Sequence, residues 1–327
     1  MEKSPNDLWE AAQLALSAPS IFNTQPWRWV VHPTRLELRA DRTRQLQVVD
    51  PDGRLLAVSC GVALHHALIS LSGTTTALTL LPDDTDADLL ATLALTGEAQ
   101  PTPAPSPLRE AIRHRHTDRR AFTGHPVARE VVANLVTACE LQGAHLRVLS
   151  WHQIPILALA AVRAGALQLS EPAYRMELAD WTHRPPWSGD GLPPQTVVAA
   201  VPRRVPVRDF APFGGAELPA GVDNDSAALY GIVYTAEDTP RDWLVAGMGL
   251  SAVLLTATAA GLGTAPISDV TEEPDTRGLM RDLIPAGQPQ VAVRIGHPPP
   301  DPPPSTPRRP ANEVITGVSG DSREGGW

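Results

Sequence analysis

Pro19-Ser20-Ile21-Phe22-Asn23-Thr24-Gln25-Pro26-Trp27 brings carboxamide, hydroxyl and aromatic side chains together between a helix-like and a strand-like pattern. Apolar spacing predicts a helix over about Leu8 to Leu16 before it, and Trp27-Arg28-Trp29-Val30-Val31 reads as a strand after it. Amides and hydroxyls in such a loop can hydrogen-bond the edge of a heteroaromatic ring; beside prolines, Asn and Gln can also be plain turn formers. Across the His32-Pro33-Thr34 turn, Arg35-Leu36-Glu37-Leu38-Arg39 is the expected partner strand, so a hairpin follows the loop.

Further along, Asp50-Pro51-Asp52-Gly53 is a turn signal, and the Ala-rich run from Leu55 to Leu71 has the length of a core helix carrying Cys60 and Gly61. Strands are expected near Ala77 to Leu81 and Leu89 to Thr96. Alternating Pro101, Pro103, Pro105 and Pro107 mark a linker, which divides the chain into a first half, 1–100, and a second, 108–327. The second half opens with a helix near Leu108, then helices over about Arg129 to Leu141 and Gln153 to Leu169. Glu171 to Ala220 is rich in Pro and Trp with little periodicity, the pattern of a lid-like excursion over a site. A strand at Leu229 to Tyr234, a long apolar helix from Trp243 to Ala260 and a strand at Gln290 to Gly296 restore order, and a Pro-rich tail follows Pro298. Ser59-Cys60-Gly61-Val62-Ala63-Leu64 with its Gly73 stop parallels Ala246-Gly247-Met248-Gly249-Leu250 with its Gly261-Leu262-Gly263 stop, which hints at an internal duplication.

The 327 residues are enough for one large or two ordinary domains. With 27 basic against 36 acidic side chains the net charge is −9, which disfavours nucleic acid or an anionic membrane as the main partner. Two cysteines make neither a disulfide framework nor a cysteine metal site, so no metal is expected and a reducing, cytoplasmic setting fits. The start, with Glu2, Asp7 and Glu10, does not resemble an export signal. An uncharged stretch from Trp243 to Ser268 is diluted by Gly and Thr, and mean hydropathy is −0.12, so a core helix is expected there rather than a membrane span. Lys3 is the only lysine, so buried cations must be arginines.

The densest cationic cluster is Arg109, Arg113, Arg115, Arg119 and Arg120. If the stretch is helical, Arg115 and Arg119 share a face and can converge on one anion, a phosphate above all; the alternative is a solvated basic helix face. Arg308 and Arg309 lie in a Pro-flanked segment, either presenting guanidiniums or forming exposed tail charge. Gly261-Leu262-Gly263-Thr264 would let backbone N–H groups approach a planar ligand, or would simply stop a helix.

Pro19 to Trp27 resembles the PSxxNxQPW loop of nitroreductase-fold flavoproteins, and the wider match is similar to the actinobacterial Acg-type branch of that family. Asp50-Pro51-Asp52-Gly53-Arg54, Ser59-Cys60-Gly61, Arg115-His116-Thr117-Asp118-Arg119-Arg120-Ala121-Phe122, Asp242-Trp243-Leu244, Gly261-Leu262-Gly263, Arg294-Ile295-Gly296 and Pro307-Arg308-Arg309-Pro310 carry the resemblance in order along nearly the whole chain. It implies an α/β fold of the α+β type, in which two fused, related halves, each with a mostly antiparallel sheet and core helices, form an intramolecular pseudo-dimer. It also implies FMN, with Arg115, Thr117, Arg119, Arg308 and Arg309 holding the phosphate. Pro19, Ser20, Asn23 and Gln25 would meet the ring or ribityl chain, and Gly261, Leu262, Gly263 and Thr264 would line the side bearing N5. No second Arg-rich helix start precedes the first-half loop, so one flavin per chain is expected. The chain departs from the family in lacking lysines near the flavin pyrimidine edge, in its Arg-x-Thr-x-Arg register and in Phe22, where this branch often carries a polar ring.

The implied activity is an FMN-dependent oxidoreductase that passes a hydride or two electrons from NAD(P)H to an electron-poor small-molecule acceptor. The alternative is a flavin-sequestering protein whose lid blocks the site. Flavin would carry the redox chemistry, so no catalytic side chain is named. Phe22, Trp181, His183 and Trp187 are candidate acceptor contacts, with aromatic packing as the other reading of the tryptophans. A monomer is expected.

Overall fold

The structure is a computed structural model and describes residues 5–99 and 106–318. Pro101, Pro103 and Pro105 of the expected linker lie outside the described residues, as do 1–4 and 319–327.

The first half runs α1 (Pro5–Ala15), β1 (Trp27–Val31), β2 (Arg35–Ala40), α2 (Arg54–Ser70), β3 (Thr74–Leu80) and β4 (Leu89–Ala99). The second runs α3 (Pro107–His114), α4 (Arg129–Glu140), β5 (His145–Val148), α5 (Ile154–Ser170), α6 (Pro172–Thr182), β6 (Leu229–Thr235), α7 (Pro240–Ala259), β7 (Gly263–Ile267), α8 (Pro274–Arg281) and β8 (Gln288–Gly296), then α9 (Ala311–Val314) and β9 (Ile315–Gly317). One sheet has the order β3-β4-β2-β1-β9, the other β5-β6-β8-β7. Among these strands all pairings are antiparallel except β1 with β9, where Trp29 lies opposite Ile315. The Pro-rich tail, assigned with the second half from sequence, therefore crosses to the first half's sheet. The end of α9 and the start of β9 contribute Val314 and Ile315 to the same core as Trp27 and Trp29, and burial of those apolar side chains draws the tail across.

Between the sheets, α2 packs against α7. Both helices are apolar around most of their circumference and are buried accordingly. They cross where neither carries a side chain: a Cβ on Gly61 would lie 2.1 Å from the Leu244 carbonyl oxygen, and one on Gly247 2.0 Å from that of Val58. Only glycine permits this approach. Asp50 fixes the start of α2 by accepting from the N–H groups of Leu55 (2.9 Å) and Leu56 (2.8 Å). Thr239 and Asp242 form a reciprocal capping box at the start of α7. By length and composition α7 could cross a membrane, but in this fold it is a core helix.

α6 falls where the sequence pattern predicts irregular chain. Glu171 caps it by accepting from Ala173 N–H, and Pro172 occupies its first turn, so its start signal was present although its apolar periodicity was weak. It packs Tyr174, Leu178 and Trp181 against Phe22, Leu46 and Val49 of the first half.

Candidate active site

The Ser20–Trp27 loop is shaped by its own side chains. Phe22, Asn23 and Gln25 have φ of 47°, 55° and 51°, left-handed values that cost residues with a Cβ on the order of 1 kcal/mol each. Ser20 Oγ accepts from Gln25 N–H at 2.8 Å, and Ser59 Oγ on α2 accepts from Ile21 N–H at 3.2 Å. The loop is thereby pinned to α2 and forms one wall of a cleft of about 620 Å³. Pro19, Ser20, Ile21 and Phe22 with Leu55, Val58, Ser59 and Val62 face Thr117, Arg119, Leu250, Pro266, Ser268 and Val291 across it. Each half supplies one wall.

A second, polar cavity of about 550 Å³ adjoins at Thr117 and is lined by Ser17, Ile112, Arg113, Arg115, His116, Pro304, Ser305, Thr306 and Arg308. Arg115 is buried, yet its Nε and Nη1 have no hydrogen-bond partner among the described residues, and neither has Arg308 Nε. Burial, then the charge of Arg308, pushes the Arg115 guanidinium down to about 9; burial alone pushes Arg308 to about 10. Behind them on α2, His66 is wholly buried with both ring nitrogens unpartnered, and is held well below its usual range by burial and by the Arg115 charge. No carboxylate lines this cavity among the described residues. Arginines do not shed their protons to relieve burial, so the cavity carries positive charge that no lining carboxylate among the described residues offsets.

Arg119 does not share that cavity. α3 ends at His114 and Arg115 is already extended (φ −68°, ψ 126°), so the helical spacing that would stack Arg115 and Arg119 does not exist. Arg119 turns to the apolar end, donates from Nη1 to Thr196 O at 3.0 Å and lies 4.9 Å over the Phe210 ring. Arg308 and Arg309 also part. Arg309 N–H donates to Gln25 Oε1 at 2.9 Å and its guanidinium lies 3.7 Å from Asp41, outside the polar cavity.

An inner chamber of about 470 Å³ continues the apolar cleft beneath residues 205–210 and shares Thr117, Arg119, Pro266 and Ser268 with it. Arg208 pairs with Glu272 at 2.5 Å and lies 5.1 Å over Phe22, whose ring meets Phe210 edge-on at 5.6 Å. Tyr230, its hydroxyl unpartnered, and Asp269, whose carboxyl burial raises to about 6, line the chamber.

The other sequence candidates are distributed as follows. Asn23 and Gln25 stand at the loop but turn their amides away from the cleft: Asn23 Nδ2 donates to Gly191 O (3.0 Å) and Pro307 O (3.1 Å), and Gln25 Nε2 to Gly189 O (2.7 Å). Gly261 (φ 74°) ends α7, where Leu262 N–H reaches back to Ala257 O at 2.9 Å, so the helix stop is the reading that fits. Leu262 is core, and Gly263 lies against Phe122, which a Cβ would meet at 2.8 Å. Thr264 is buried with its hydroxyl unpartnered. None of the four lines the three cavities just described; Ala265, Pro266, Ile267 and Ser268, next along the chain, do. Phe22 faces the cleft. Trp181 is core beneath Arg44 and Arg184, Trp187 is 84% exposed, and His183 lines a separate cavity formed within the lid segment itself. The residues missed from sequence are Arg208, Phe210, Tyr230, Pro266, Ser268, Asp269 and His66. Apart from the Pro- and Arg-containing run 202–210, they carry no local signal.

A family profile described as Nitroreductase family matches residues 112–297. A Mycobacterium tuberculosis H37Rv protein provisionally named NAD(P)H nitroreductase Rv3131 is 37% identical over 92% of this chain and 89% of its own. The chain belongs to the nitroreductase family. Another M. tuberculosis relative, provisionally named NAD(P)H nitroreductase acg, is 34% identical over 93% of this chain and 94% of its own, so the likeness extends to the Acg-like nitroreductases. The FMN- and NADPH-dependent nitroreductase NfnB of sphigopyxis sp. strain HMH covers 65% of this chain and 99% of its own at 19% identity, with a TM-score of 0.43. Two mostly antiparallel sheets around a buried helix pair give the α+β nitroreductase-like fold expected from the sequence.

Proposed function

We propose that the chain is an FMN-dependent oxidoreductase of nitroreductase type, taking a hydride or two electrons from NAD(P)H and delivering them to an electron-poor organic acceptor such as a nitroaromatic or a quinone. The observation that carries this reading is the buried Arg115 guanidinium, whose Nε and Nη1 lack partners among the described residues, beside Arg308, whose Nε lacks one, at one end of a cleft whose other end is apolar. Arg115 and Arg308, with Thr117 at the junction, fit a phosphate; Pro19, Ser20, Phe22, Leu250, Pro266 and Ser268 fit the faces and edges of a flat ring. Bound FMN would supply acceptance and donation of the hydride. Arg119, at the ring end, would offset negative charge developing there in a chain whose single lysine is Lys3. Phe22 and Phe210 would exclude water. The α2–α7 crossing, with a sheet on either side, supports a monomer that acts as an intramolecular pseudo-dimer. The single polar cavity with Arg115 and Arg308 among the described residues supports one cofactor, and the two free cysteines, Cys60 and Cys139, fit the cytoplasm.

A second reading, flavin sequestration, draws on the ties across the lid. Asn23 and Gln25 hold the 189–191 turn, Asp190 pairs with Arg44, and Glu177 accepts from Val48 N–H (3.1 Å) and Val49 N–H (2.9 Å). Anaerobic addition of NADPH or NADH to FMN-loaded protein tests both. Bleaching of the visible flavin band is expected for the oxidoreductase; tight flavin that neither nucleotide bleaches assigns sequestration; no flavin uptake refutes both.

A further inference from the structure

Asn23 joins three segments far apart in sequence. Its Nδ2 donates to Gly191 O in the lid turn at 3.0 Å and to Pro307 O in the tail at 3.1 Å, while its Oδ1 accepts from Arg308 Nη1 at 3.2 Å. Gln25 repeats the pattern, donating to Gly189 O at 2.7 Å and accepting from Arg309 N–H at 2.9 Å. Both amides are buried, and the left-handed backbone at Asn23 and Gln25 aims them this way. Lid turn and tail are also in direct contact: a Cβ on Gly189 would lie 2.7 Å from Arg308 O.

Arg308 faces the polar cavity with Nε unpartnered, and its Nη1 bonds all go to neutral oxygens: Asn23 Oδ1, Thr306 Oγ1 at 2.7 Å, Thr306 O and Pro307 O. An anion gripped by this guanidinium fixes the backbone of residues 307–309, on which the lid turn rests. A carboxamide that accepts at one end and donates at the other is polarised by both bonds, so strengthening one strengthens the other. We propose that Asn23, seconded by Gln25, is a positioning residue that ties the anion grip of Arg308 to closure of the 189–191 turn. Binding at the polar end thereby holds the lid segment closed at that turn. This rests on the proposed function only in taking the polar cavity to be an anion site.

The test follows hydrogen exchange at the Gly191 and Leu192 amides, which donate to Asn23 O (3.4 Å) and Trp181 O (2.9 Å), with and without inorganic phosphate. Calorimetry reads phosphate binding separately. In the wild type, phosphate is expected to slow exchange there by about fivefold or more, the lower range of coupling between sites. Asn23→Gly, which accepts the left-handed backbone, should abolish the slowing while phosphate still binds. Bound phosphate that leaves wild-type exchange unchanged, or slowing that persists in Asn23→Gly, overturns the coupling. Absence of phosphate binding to the wild type overturns the anion site and the inference with it. Should Asn23→Gly not fold, the wild type decides: FMN must slow exchange at these amides more than riboflavin does, and equal slowing overturns the proposal.

Discussion

Two buried arginine clusters lie within one half of this chain, and they are finished differently. Arg294, 2% exposed, donates to Asp225 Oδ2 at 2.6 Å, Asp118 O at 2.7 Å and Arg120 O at 2.8 Å, and lies 4.3 Å over the Phe122 ring. Asp225 in turn accepts from Phe122 N–H at 2.7 Å. Arg115, 6% exposed, meets no carboxylate, and two of its nitrogens have no partner among the described residues. Depth and residue type are nearly the same, so neither distinguishes a structural cation from a binding one. What does is whether the chain itself supplies the counter-charge.

The sharpest way to break this contrast is Asp225→Asn, which keeps a residue at home at φ 63° but removes the charge facing Arg294. Urea unfolding should show a loss of about 3–5 kcal/mol, as for other buried pairs stripped of one partner, and phosphate should not restore it. Next in size, Arg115→Met should weaken FMN retention by about 1.5–3 kcal/mol, roughly ten- to 150-fold, while leaving the ligand-free protein as stable as before or more so. It should leave riboflavin affinity intact, whereas Arg119→Met should weaken riboflavin and FMN alike. If Arg115→Met instead destabilises the ligand-free fold and spares retention, Arg115 is structural and the contrast collapses.

Asp269 sharpens it from the acidic side. Burial lifts its carboxyl to about 6, against about 3.9 in an unfolded chain, so the folded protein holds this proton more tightly. The resulting stability is fully present below about pH 4 and is lost as pH rises through about 6, a change on the order of 3 kcal/mol. Urea midpoints measured across that range should fall less steeply in Asp269→Asn than in the wild type. The smallest expected effect is stabilisation of the ligand-free protein by inorganic phosphate, about 1.4 kcal/mol at ten times its Kd, which Arg115→Met should remove.

Much of this architecture was legible in the sequence, because apolar periodicity and turn residues act locally. β1 was bounded as observed, α2 and α7 within a few residues, and the Gly61 and Gly247 segments singled out as similar are the ones that cross. Of the phosphate residues implied by the family resemblance, Arg115, Thr117 and Arg308 line one cavity, whereas Arg119 and Arg309 lie outside it. The losses came wherever long-range contacts decide. Whether Arg119 accompanies Arg115 depends on where α3 stops, and the amides of Asn23 and Gln25 point where partners more than 160 residues away draw them. The run 205–210 forms a chamber wall because Phe210 and Arg208 meet Phe22 and Glu272, pairings without a periodic signature.

The parallel pairing of β9 with β1 gives the chain an order of assembly. Arg308 is anchored on one side by β8 and on the other by a strand that docks beside Trp29. During synthesis the other strands of both sheets emerge before residues 308–317, so a nascent chain can form the α2–α7 crossing while the polar cavity has Arg113, Arg115 and His116 but still lacks Arg308. The polar cavity's wall is therefore complete only after this short strand has arrived from the ribosome.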